Sequence, residues 1–136
     1  MEESEIKEKY MELQLFDQQI KNAHQQIQTL EQQLMELNNV LLTLDEVKKL
    51  EKNAEILIPL TTGIYAKGTL QDTSEFTVNV GADVAVKKDF ESTKKLINQQ
   101  IQEVTQVQQK MVVEVQEIVT KAKKIQELLK DVLEKD

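Results

Sequence analysis

No cysteine occurs among the 136 residues, so disulfides, thiolate zinc sites and thiol catalysis are excluded. The absence fits a reducing, cytoplasmic setting. Tryptophan is missing and aromatics make up only 4%. A globular domain of this length normally uses more large apolar side chains, so the composition points to an elongated fold with a narrow apolar seam. Arginine is missing too; all 17 basic residues are lysine. No segment is basic, since residues 1–52, 53–87 and 88–136 carry net charges of −5, −2 and 0. Nucleic-acid binding is therefore not expected. No apolar run approaches the length of a membrane span, and the charged start "MEESEIKEKY" is not read as a signal peptide, so no membrane partner is expected.

Glycine and proline are scarce and confined. Gly63, Gly68, Gly81 and Pro59 all fall between positions 59 and 81. Outside that island the chain reads as two helices with a 3.5-residue repeat. The first has core registers Leu13, Ile20, Ile27, Leu34, Leu41 and Phe16, Ala23, Leu30, Leu37, Leu44. Ile6 extends it at one end, and Val47 and Leu50 continue the apolar stripe at the other. The second has Ile97, Val104, Met111, Ile118, Ile125, Val132 and Ile101, Gln108, Val115, Ala122, Leu129, with Phe90 one heptad earlier. Gln108 is the one polar residue in the second helix's registers; such a residue either fixes register at a cost in stability or is tolerated, and tolerance is the favoured reading. Ile6 to Leu50 spans 44 positions and Phe90 to Leu133 spans 43. Matched lengths around a compact insert predict an antiparallel helical hairpin, each arm roughly 65 Å at about 1.5 Å per residue.

Inside the island the apolar period becomes two. Ile56, Ile58, Leu60, Ile64, Ala66 and Leu70 hold even positions, as do Phe76, Val78, Val80, Val84 and Val86. An even face survives a chain reversal only if paired positions sum to an even number. Leu60 opposite Ile64 leaves the loop Thr61-Thr62-Gly63; Val80 opposite Val84 leaves Gly81-Ala82-Asp83. Each such loop needs a left-handed third residue, which Gly63 suits better than Asp83. Pro59 requires an edge or a bulge. Leu57 and Tyr65 place apolar bulk on the odd face as well. "QDTSE" (71–75) links two hairpins. Isolated hairpins are marginal in water, so the island predicts assembly with other chains.

The order helix, two hairpins, helix resembles the alpha-type subunit of prefoldin. The resemblance is carried by "ILIPL" (56–60), "KGTLQDT" (67–73), "VNVGA" (78–82) and "VKK" (86–88). The family commonly has a glycine-richer first turn and a second glycine where Asp83 stands. The resemblance implies an α+β fold: a long antiparallel coiled coil with two central β-hairpins that join a β-barrel base in the oligomer. It implies one domain over 1–136, divided into a helix (1–53), the hairpins (54–87) and a helix (88–136). It further implies a chaperone subunit in a hexamer of two alpha-type and four beta-type subunits. Such a hexamer holds non-native polypeptides at its coiled-coil tips and passes them to a group II chaperonin without nucleotide hydrolysis.

The residues themselves offer no catalytic, cofactor or metal site. There is no phosphate loop. His24, the one histidine, follows Ala23 beside the core register and reads as solvent-flanking. Binding is left to apolar surface. The tip candidates are Ile6, Tyr10, Leu13, Leu15 and Phe16 with Ile125, Leu128, Leu129, Val132 and Leu133. Tyr10, Leu15, Leu128 and Leu133 lie off the strict seam. The even-numbered strand residues Ile56, Ile58, Leu60, Ile64, Leu70, Phe76, Val78, Val80, Val84 and Val86 are the oligomerisation candidates. The competing readings are a self-assembling scaffold or a filament-forming prefoldin relative, and, less favoured, a generic tethering coiled coil.

Overall fold

A computed structural model describes residues 2–134 of the chain. The element order is α1 (Glu3–Lys48), β1 (Ala54–Thr61), β2 (Ile64–Leu70), β3 (Glu75–Asn79), β4 (Ala85–Asp89) and α2 (Phe90–Glu134). Two compact units contain these elements: Met1–Leu34 with Glu103–Asp136, and Met35–Gln102.

In the first unit the two helices run antiparallel. Tyr10 and Leu13 of α1 line one cavity with Leu129 and Leu133 of α2, while the Ile27 carbonyl meets Gln108. The heptad residues are the covered ones. Ile6, Leu13, Phe16, Ile20, Ala23, Ile27, Leu30 and Leu34 are half-buried, and Val115, Ile125 and Leu129 are buried. Neighbouring positions are largely exposed, His24 among them. A 3.5-residue apolar repeat on two facing helices buries one stripe of each.

Gln108 corrects one expectation. It is partnered, not merely tolerated: its Nε2 donates to Glu31 Oε2 at 2.8 Å and to the Ile27 carbonyl at 3.4 Å. An amide among apolar seam residues gains most by reaching across to the partner helix, because an unmet polar group there costs more than the bond yields.

In the second unit α1 ends earlier than the expected residue 53. Lys49 and Leu50 donate to carbonyls three residues back, which tightens and closes the last turn. Leu50 therefore lies outside the helix, 40% exposed, and does not prolong the stripe. Asn53 takes a left-handed φ of 66°, and Ala54 N donates to the Glu51 carbonyl at 3.1 Å. That turn feeds the chain into β1.

Each hairpin is its own two-stranded antiparallel sheet. The register follows the parity rule: Ile56↔Gly68 and Ile58↔Ala66 in the first, Val78↔Val86 and Phe76↔Lys88 in the second. The first turn differs in detail. Thr61 pairs with Ile64, which leaves only Thr62 and Gly63 between them, and the register shifts between Pro59 and Thr61. The extra residue is absorbed beside the proline that required an irregularity. Gly63 is left-handed at φ +83°. The second loop keeps Val80 opposite Val84, the valine N–H bonding the Val84 carbonyl at 3.0 Å.

β4 runs to Asp89, two residues past the expected strand end, and the helix starts at Phe90 instead of residue 88. The reason is a cap. The Asp89 carboxylate accepts the Ser92 N–H at 2.7 Å, and Thr93 Oγ1 donates to the Asp89 carbonyl at 2.7 Å. The Ser92 backbone bond, foremost, holds the Asp89 carboxyl below its ordinary pKa of 3.8.

Candidate interaction surfaces

The hairpins present an apolar face that is covered at one end and bare at the other. Ile56, Leu70, Phe76, Val78 and Val86 are half-buried. Nearer the turns, Ile58, Leu60, Ile64, Val80 and Val84 are exposed by 44–68%. The odd face is mostly polar, with diagonal ion pairs Lys67–Glu55 (3.7 Å) and Lys87–Glu75 (3.9 Å). Leu57 and Tyr65 break that pattern, at 61% and 59% exposure. Each sheet has only two strands, so every strand keeps one unpaired edge. Bare apolar faces with open edges are surfaces for association. Gly68 belongs to this face through packing: a Cβ there would lie 2.9 Å from Ile58 Cδ1.

At the helix–hairpin junction, Phe90 is buried beneath two lysines. Lys48 Nζ lies 4.2 Å and Lys94 Nζ 5.7 Å from its ring centroid. Lys48 also reaches Glu91 at 3.9 Å, and Lys94 reaches Asp45 at 3.7 Å. The cations cover the ring and tie the end of α1 to the start of α2. Sequence reasoning identified Phe90 only as a heptad residue and missed the lysines, whose approach depends on the α1–α2 pairing.

In the first unit the ten tip candidates divide into two groups. Ile6, Leu13, Phe16, Ile125, Leu129 and Val132 are half-buried or buried in the seam. Tyr10, Leu15, Leu128 and Leu133 are exposed by 42–59%. Tyr10, Leu13, Leu129 and Leu133 share a cavity of about 480 Å³ with Gln126, Lys130 and Glu134 at its border. Met11 had not been singled out, and at 69% it is the more exposed neighbour of Leu15. Its spacing of four from Leu15 was the available signal. Among the described residues no group of acidic or histidine side chains is placed to hold a metal ion. No helix of the described residues is long and apolar enough to cross a membrane.

The prefoldin subunit family model matches residues 16–135, which take in α1 from Phe16 onward, all four strands and α2. The chain belongs to the prefoldin family. Among similar prefoldin proteins, the alpha subunit of Methanococcus aeolicus is 28% identical over 131 residues, 96% of this chain and 87% of the relative. That of Archaeoglobus fulgidus is 23% identical over 127 residues, 93% of each. The match to the Thermofilum pendens alpha subunit, 23% identical, spans 61% of this chain and just under two thirds (64%) of that one. These relatives support an alpha-type prefoldin subunit. Among solved structures, a filamentous PFD from Methanocaldococcus jannaschii superposes with a TM-score of 0.78 at 18% identity, covering 85% of this chain and 95% of that one. The likeness establishes the fold: two long helices joined through two β-hairpins.

Proposed function

We propose that the chain is the alpha-type subunit of a cytoplasmic prefoldin hexamer, two alpha with four beta-type subunits. Its hairpins join the β-barrel base. Its helix tips capture non-native polypeptides and release them to a group II chaperonin without nucleotide hydrolysis. The observation that carries this reading is the set of exposed apolar residues off the seam at one end of the first unit: Tyr10, Leu15, Leu128 and Leu133. Apolar contact is non-directional, which suits clients that share no sequence. The exposed Leu60, Ile64, Val80 and Val84 supply the other half, a face that needs another chain to cover it.

The test combines assembly and protection. Mixed with a beta-type partner, the chain should give one discrete mass corresponding to two plus four subunits and should suppress aggregation of an unfolded client. Changing Leu15, Leu128 and Leu133 to Ser should weaken suppression while the hexamer persists. Unchanged suppression by an intact hexamer would remove these residues from the site. A second reading draws on the filamentous PFD, whose fold this chain shares: the same faces and edges propagate instead of closing. Long polymers formed by the chain alone would favour it. A monomer indifferent to the partner would sink both.

A further inference from the structure

The helix end in the first unit has two unlike faces. One is the cavity between α1 and α2, where the border charges Lys130 and Glu134 lie 4.0 Å apart and compensate each other. The other runs along α1 alone. Its concave strip is lined by Glu8, Met11, Glu12, Gln14, Leu15 and Gln18. Steps of three and four put these residues on one side of the helix. Met11 and Leu15 form its apolar floor, exposed by 69% and 53%. The strip has two lining carboxylates and no lining cation. Lys9 reaches Glu12 at 3.5 Å from outside the lining. Beyond the lining, Glu5 stands one heptad before Glu12 and Lys7 one heptad before Gln14, so these flanking charges offset each other and the strip's own negative charge is that of Glu8 and Glu12.

We propose that this strip docks apolar segments of non-native polypeptides that carry Lys or Arg beside the apolar residues, and so gives client capture a charge preference. The inference rests on the tip-capture reading and adds to it a chemical class of client. Unbranched, polarizable Met11 adapts to side chains of differing shape. Glu8 and Glu12 lie within one helical turn of it and attract cationic flanks, while acidic flanks are repelled. Gln14 and Gln18 offer both donors and acceptors to the backbone of an extended segment. Charges at an exposed strip are screened by salt, so the preference must weaken as ionic strength rises.

The experiment uses the full chain and two fluorescent peptides with the same Leu- and Val-rich centre, one flanked by Lys and one by Glu. Anisotropy titration at low salt should show the Lys-flanked peptide binding about five-fold tighter or more, the gap closing near 1 M salt where the Debye length is about 3 Å. Glu8→Lys with Glu12→Lys should abolish or reverse the preference. Met11→Ser with Leu15→Ser should weaken the Lys-flanked peptide more than Tyr10→Ser with Leu133→Ser does. All four positions are exposed, and circular dichroism will report retained helix. Equal binding of both peptides, or charge reversal without effect, overturns the charge preference and leaves tip capture standing. A loss confined to the Tyr10/Leu133 variant overturns the assignment to this strip. Failure of both peptides to bind overturns the preference and the tip reading together.

Discussion

At the residue scale, the second hairpin turn stores strain in two ordinary L-residues. Ala82 and Asp83 sit at φ 51° and 60°, and Val84 N closes the turn on the Gly81 carbonyl at 3.0 Å. Two central residues with positive φ are the signature of a type I′ turn, which suits a two-stranded ribbon but favours Gly and Asn. The Asn79 carboxamide oxygen helps hold it by accepting the Gly81 N–H at 2.9 Å. Asp83→Gly or Ala82→Gly should therefore stabilise the chain by about 1 kcal/mol, the cost of left-handed backbone in a residue with a Cβ. Thermal melts will check this; no rise in Tm would mean the strain is relieved elsewhere. Asp72 is a second local device. Its carboxylate accepts both the N–H and the hydroxyl of Ser74 at 2.8 Å, and these bonds, the backbone one foremost, lower its pKa from 3.8. Asp89 is lowered likewise. Both contributions are fully present above the unfolded-state value and are lost as pH falls through the lower folded values. Acid should loosen the 71–75 link and the start of α2 only below pH 3.8, visible as Ser74 and Ser92 amide shifts in NMR.

At the scale of elements, Gln108 and Gly68 carry the sharpest expectations. Gln108→Ala removes both bonds across the helix pair and should destabilise it by about 1 kcal/mol, read as a lower melting temperature. Gln108→Leu restores apolar continuity and should melt above the parent. If Gln108→Ala melts with the parent, the cross-helix bonds contribute nothing. Gly68→Ala places a methyl 2.9 Å from Ile58 Cδ1. Ile58 can swing its terminal carbon aside, so the loss should be small, and Ile58→Val in the same chain should recover it. A large loss that Ile58→Val leaves unrepaired would show that backbone, not this side chain, resists. The heptads and the strand parity were legible because a repeat of 3.5 or 2 states which residues are covered together. Element ends were less so: Lys48, Thr61 and Asp89 stop or start elements through capping bonds and a bulge, which no apolar pattern encodes.

At the scale of the whole molecule, the question is what covers the hairpin face. Leu60 and Ile64 are exposed by 68% and 56%, and burying each would contribute about 1.5–3 kcal/mol. Leu60→Asp with Ile64→Asp should leave helix content unchanged, because neither residue supports the helices. It should abolish high-mass assembly with a beta-type partner in sedimentation. Assembly that survives the double change would move the interface off this face. The seam residues behave differently, since Ile125 and Leu129 are buried within the chain itself at 9% and 4%. Substituting them tests folding before it tests binding, which is why the capture variants use Leu15, Leu128 and Leu133.

The sequence by itself determined the two long helices and their antiparallel sense, both hairpins, and the strand register everywhere but at the first turn. They follow from short-range periodicity, from the matched lengths of the two apolar repeats and from the confinement of Gly and Pro to 59–81. Only the tertiary structure decided which apolar residues stay exposed. It separated Tyr10, Leu15, Leu128 and Leu133 from the six tip candidates held in the seam, brought Lys48 and Lys94 onto Phe90, and gave Gln108 its partners across the helix pair. The physical reason is that exposure and cross-helix contact depend on what the second helix brings alongside, residues some 80 positions distant in the chain.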